Sequence, residues 1–135
     1  ILLVEDNMVN QAVAMGMLNK LGYAAEGAPD GKEALKSLSE TDFDLVFMDI
    51  QMPILGGIET TRMIRDGEAG GRNKHVPIIA MTAHATKKDR QACLDAGMDD
   101  YIPKPISSQL ITEAMGRTLS PALMVWSCLL SPTDS

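Results

Sequence analysis

Glu5 and Asp6, Asp49, Thr82 and Lys104 are the residues whose types could do chemistry together. Each follows closely on a short run that reads as a strand: residues 1–4, 45–48, 76–81 and 100–102. Carboxylates crowded into one place repel, and they relieve the repulsion by sharing protons or by binding a cation. Hard oxygen ligands with no Cys or His at ligand spacing select Mg2+ or Mn2+ over zinc. A lysine adds a point charge and a threonine a hydroxyl. The plain alternative is a set of separately solvated turn residues, which for Glu5-Asp6 alone is the better reading. Acids, threonine and lysine at successive strand ends weigh against it, because charges in perturbed environments gather at functional sites.

The elements that must position these groups can be read from periodicity. Residues 1–4 are a continuous aliphatic run, as expected of a central parallel strand covered on both faces. Val9, Val13, Met17 and Leu21 recur every four residues with Ala14 and Leu18 beside them, which predicts a helix buried on that stripe and stopped by Gly22. Residues 23–26 are expected to form the second strand. Asp30 and Glu33 resemble a capping box opening a second helix with Ala34, Leu35 and Leu38 inward. The third strand spans 45–48, and a third helix covers about 58–64. Residues 67–75 are polar and glycine-rich and predict a solvated loop. Residues 76–81 form a fourth strand; Thr86 caps a fourth helix that ends at Gly97. A fifth strand at 100–102 is followed by Pro103-Lys104-Pro105 and by a helix, capped at Ser107 or Ser108, that carries Leu110, Ile111, Ala114 and Met115. Strand and helix alternate five times, which implies a parallel sheet with helices on both faces. In such a sheet the strand ends share one rim, and ligands bind there. Asp49, where a buried strand opens into the loop Met52 to Gly57, is the centre of that rim.

The chain has 135 residues, enough for one domain with a real core. Its net charge of -6 disfavours nucleic acid as a partner and suits a divalent cation or a basic surface. Cys93 and Cys128 have no motif spacing and read as free thiols, and His75 and His84 form no local metal pair. No secretory pattern or membrane-length apolar run is seen, so a cytoplasmic location without membrane contact is expected. The chain opens on Ile1 directly into a strand, as an excised domain or trimmed piece does. The domain is expected over residues 1–119, and residues 120–135, apolar around Trp126, form a tail without an assigned role.

Together, Glu5-Asp6, Asp49 with Met52-Pro53, Thr82-Ala83 and Lys104-Pro105 resemble the receiver domain of two-component response regulators. The resemblance covers about residues 1–119. The finer patterns around Asn7, Asn10, Gln11 and Ile50-Gln51 are similar to receivers fused to hybrid sensor histidine kinases. The family implies a flavodoxin-like (βα)5 three-layer sandwich with strand order 2-1-3-4-5.

It implies, further, that Asp49 accepts a phosphoryl group from the phosphohistidine of a histidine kinase or histidine-phosphotransfer domain. Mg2+ (or Mn2+) would be held by Asp6, Asp49 and the Gln51 backbone carbonyl, with Glu5 acting through water. Lys104 would pair with a phosphoryl oxygen, Thr82 would bond to the new group, and Tyr101 would swing inward as a switch. Gln51 and His84 would tune the lifetime of the phosphoryl group, so that the domain catalyses its own transfer and dephosphorylation. The surface of the fourth helix, fifth strand and fifth helix would carry the output, and a second copy of the chain is admitted as a partner. The first helix around Asn10, Gln11 and Met15 is the expected docking face. One departure stands out: Gly56 occupies a place where the family often has an acid, which loosens the loop. Two rivals remain. A pseudo-receiver keeps the fold without the chemistry. A haloacid dehalogenase-type phosphatase needs a second acid two residues after the nucleophile, where this chain has Gln51.

Overall fold

The computed structural model describes residues 1–52, 55–71, 73–83 and 86–118. Ten elements alternate: β1 (Leu2–Val4), α1 (Met8–Lys20), β2 (Glu26–Ala28), α2 (Gly31–Glu40), β3 (Val46–Asp49), α3 (Gly57–Arg65), β4 (Ile78–Thr82), α4 (Lys87–Ala96), β5 (Asp100–Pro103) and α5 (Ser108–Thr118). The five strands form one sheet in the order β2-β1-β3-β4-β5, and every pairing is parallel. This is the flavodoxin-like order expected above.

Period-two alternation splits the strands between two cores. Leu2, Val4, Val46, Met48, Ile78 and Ala80 face one side, where Ala34 and Leu38 of α2, Ile64 of α3 and Cys93 of α4 cover them. Leu3, Phe47, Ile79 and Met81 face the other, covered by Ala14 and Leu18 of α1 and Ile111, Ala114 and Met115 of α5. With α1 and α2 leaving to opposite faces, the crevice between the carboxyl ends of β1 and β3 is the place where such sheets bind ligands.

The capping signals behave as read. Asp30 Oδ1 accepts from the Glu33 N–H at 2.9 Å, Thr86 Oγ1 from Asp89 at 3.1 Å, and Ser107 Oγ from Leu110 at 3.2 Å. Helix α4 ends on Gly97 in the left-handed region, φ 108°. Three expectations are corrected. The second strand lies at Glu26–Ala28, not 23–26: Tyr23 instead donates its N–H to Leu18 O at 2.9 Å and closes the end of α1. The buried stripe of α1 is Ala14 and Leu18, while Val9 and Val13 are 72% and 50% exposed. This helix is apolar nearly all round, so its four-residue period could not choose a face; small Ala14 and Leu18 fit closest to the sheet. The loop after α3 is not solvated throughout. Its Asn73 is buried, donating through Nδ2 to Leu38 O and Thr41 O at 2.7 Å each and accepting from Phe43 N at 3.0 Å, which ties the end of α2 to the start of β3. The expected loop after Asp49 is described only in part, and the proposed tail at 120–135 lies outside the described residues, as does Cys128. Cys93 is a buried free thiol.

Candidate functional site

Asp49 is the last residue of β3 and is buried, 2% exposed. The chain turns sharply behind it. Ile50 N–H donates to Met81 O at 3.2 Å, Gln51 N–H to Asp49 Oδ1 at 3.2 Å, and Gly57 N–H to Ile50 O at 3.1 Å. The last bond brings α3 back against the end of the strand. A Cβ on Gly57 would stand 2.9 Å from Ile50 Cα and 3.0 Å from Asp49 C, so only glycine permits this approach. Gly56 caps α3 through its backbone without a side-chain bond, and Thr60 Oγ1 donates to its carbonyl at 2.8 Å.

Glu5 follows β1 and is also buried. Its carboxylate accepts from the Asn7 N–H at 3.3 Å. Asn7 is the N-cap of α1, its Oδ1 accepting from Val9 N and Asn10 N at 3.0 Å each. Asp6 is exposed, yet carboxylate oxygens of Glu5, Asp6 and Asp49 lie within 4.8 Å of one another. Lys104 directly follows β5 and precedes a cis Lys104-Pro105 peptide, and its N–H donates to Thr82 O at 2.7 Å. Its Nζ stands 3.0 Å from Glu5 Oε2 and 3.1 Å from Asp49 Oδ2. Five of the predicted groups, Glu5, Asp6, Asp49, Thr82 and Lys104, thus come to the ends of β1, β3, β4 and β5.

The electrostatics follow from this crowding. Burial pushes the Asp49 carboxyl up to about 7, the charge of Glu5 pushes it the same way, and Lys104 opposes both. For Lys104, partial burial disfavours the ammonium, but hydrogen bonds and charges from Glu5 and Asp49 outweigh it and the net shift is upward. Three carboxyl groups around one ammonium leave the cluster short of positive charge. An all-oxygen donor set with that deficit fits a hard divalent cation such as Mg2+.

Tyr101, on β5, is half-buried against the core on the α2–α4 side, with the Arg90 guanidinium 4.5 Å over its ring. Thr82 is buried at the end of β4. His84 lies outside the described residues. The docking expectation on α1 is revised: Met15 packs against the core and Gln11 is half-buried, while Met8, Val9 and Val13 are exposed. Val13 and Asn10 line a cavity of about 310 Å³ shared with Glu5, Lys104, Pro105 and Ile106. The sequence reading passed over Asn7 as a cap and Gly57 as an obligatory close contact. An Asn just before an apolar helix is a start signal that could have marked the first; the second needed the fold.

The family model of the response regulator receiver domain matches residues 1–116. This chain belongs to that family. The receiver domain is 44% identical over 120 residues to hybrid signal transduction histidine kinase I of Dictyostelium discoideum, covering 85% of this chain and 7% of the kinase. It is 37% identical over 149 residues to probable histidine kinase 1 of Oryza sativa subsp. indica, covering 90% of this chain and 15% of that protein. It therefore matches one segment of much longer relatives. Among solved structures, it is similar to the receiver domain of sensor histidine kinase PA1611 from Pseudomonas aeruginosa PAO1, which holds a magnesium ion in its active site cleft. The two are 43% identical with a TM-score of 0.77, over 87% of this chain and 93% of that one. A second likeness is to the co-crystal structure of the Saccharomyces cerevisiae phosphotransfer protein Ypd1 with the receiver domain of Ssk1. It is 32% identical with a TM-score of 0.75, over 89% of this chain and 92% of that chain. No helix among the described residues is long and apolar enough to cross a membrane.

Proposed function

We propose that this receiver domain accepts a phosphoryl group on Asp49 from a phosphohistidine, within a hybrid-kinase phosphorelay. The observation that carries the reading is the Lys104 ammonium set 3.0 and 3.1 Å from two buried carboxylates inside an acid cluster short of positive charge. A carboxylate can serve as the nucleophile for phosphoryl transfer, and the protein's part is positioning and charge neutralisation. Asp49 Oδ forms the new O–P bond as the N–P bond of the phosphohistidine breaks, and the departing imidazole takes up a proton. Glu5, Asp6, Asp49 and the Gln51 carbonyl would hold Mg2+ (or Mn2+), which supplies positive charge to the phosphoryl oxygens. Lys104 releases Asp49 and pairs with one of those oxygens. Thr82 donates its hydroxyl to another, Tyr101 moves into the space it leaves, and the face of α4, β5 and α5 carries the change. Gln51 and His84 tune the lifetime of the phosphoryl group against hydrolysis. The exposed apolar side chains Met8, Val9 and Val13 of α1, the last of them lining the same cavity as Lys104, suit an apolar helix of a histidine-phosphotransfer partner.

Incubation with acetyl phosphate, with and without Mg2+, followed by intact mass, tests the chemistry. One Mg2+-dependent phosphoryl adduct, absent in Asp49→Asn, is expected. No adduct in the wild type under either condition overturns the proposal in favour of a pseudo-receiver.

A further inference from the structure

Glu5 lies just beyond the last ladder residue of β1, yet each of its polar groups is held. Its N–H donates to Ala28 O of β2 at 3.0 Å. Its carboxylate accepts from Asn7 N–H and Lys104 Nζ. Its carbonyl oxygen accepts from Gln11 Nε2, one turn into α1, at 3.1 Å. A carbonyl oxygen can only accept, so the amide must present its NH2 edge to Glu5 and turn Oε1 away. That other edge lies over Gly27 of β2, where a Cβ would stand 2.6 Å from Gln11 Oε1 and 2.8 Å from Cδ.

We propose that Gln11 is a positioning residue of the acid cluster, acting through the Glu5 carbonyl, and that Gly27 supplies the room for its amide. The inference rests on the phosphoacceptor reading above. The Glu5–Asp6 peptide is planar, so anchoring its oxygen sets the plane from which Asp6 departs. Asp6 is exposed and has no buried packing to aim it; the fixed peptide brings its carboxylate to Glu5 and Asp49. Gln11, by its half-buried place, serves the cluster from within rather than docking a partner from outside.

The geometry makes two substitutions on different elements converge on one hydrogen bond. Gln11→Met keeps the length of the side chain and removes the donor. Gly27→Ala strikes the far end of a flexible side chain, so the amide gives way and the strand does not. Mg2+ titration by calorimetry, urea unfolding in EDTA and the acetyl phosphate assay, run on the same proteins, separate positioning from stability. Each single variant is expected to bind Mg2+ about 10-fold more weakly than the wild type, as loss of an outer-shell partner commonly does. Gly27→Ala should keep the urea midpoint of the wild type, and in a Gln11→Ala background it should change Mg2+ affinity no further. Wild-type Mg2+ affinity in either single variant, or independent losses in the double variant, overturns the inference and leaves the phosphoacceptor reading standing. A wild type that takes neither Mg2+ nor a phosphoryl group overturns both.

Discussion

At Asp49, burial and the charge of Glu5 both oppose ionisation, and Lys104 offsets only part of that. The folded-state pKa, about 7, lies above the ordinary 3.8, so between these values the native state holds a proton that the unfolded chain has released. Stability without metal therefore falls as pH rises through this window, and the full cost is present above pH 7. Asp49→Asn removes the ionisable group and leaves Lys104 its bond to Glu5. It is expected to stabilise the metal-free domain by ~1–3 kcal/mol at pH 8 and by progressively less as pH falls towards 4. Urea unfolding in EDTA at several pH values checks this; a pH-independent difference would show that Asp49 is not held protonated by its surroundings. A nucleophile needs the ionised form, so the same crowding that costs stability is what a bound cation relieves.

Among the elements, the connection through Asn73 does more than its composition suggests. Its amide satisfies the Leu38 carbonyl in the last turns of α2 and the Thr41 carbonyl and Phe43 N–H of the stretch joining α2 to β3, all away from the acid cluster. Asn73→Ala leaves these groups without their partner and should cost ~2–4 kcal/mol in urea unfolding, with Mg2+ affinity unchanged in the folded protein. A loss under 0.5 kcal/mol, roughly that of a surface change, would return the loop to the solvated class expected from its glycines. Residue-level reading of this loop failed because polar residues and glycines mark exposure only on average. One buried amide with three backbone partners looks the same in the sequence as a solvated one.

For the molecule as a whole, the apolar side chains on α1 are the part of the surface least explained by folding. Val13, half exposed beside the cavity lined by Lys104, makes the test. Val13→Asp should slow transfer from a phosphorylated histidine-phosphotransfer protein by 10-fold or more, since a charge is left desolvated in an apolar contact. Labelling by acetyl phosphate, which needs no docking, should stay within about 2-fold of the wild type. Equal slowing with both donors would mean that the substitution damages the site itself and that the partner docks elsewhere.

The alternation of strands and helices, the caps Asp30 and Thr86, and the set Glu5, Asp6, Asp49, Thr82 and Lys104 are legible in the sequence, which left the cap of α5 open between Ser107 and Ser108. These are local signals: an apolar run, a cap three residues before its bonded N–H, an acid at the end of a strand. Tertiary structure alone decided which stripe of α1 is buried, where β2 pairs, and which groups touch. Met8, Val9 and Val13 are as apolar as the core, and only the sheet's choice of Ala14 and Leu18 leaves them outside. Gly57 and Gly27 read as ordinary glycines of connecting segments until Asp49 and Gln11 are packed against them. Lys104 and Glu5 stand at opposite ends of the domain in sequence, and the parallel sheet brings their charges to 3.0 Å. Close approach between segments distant in sequence is set by how the layers pack, and no local pattern encodes it.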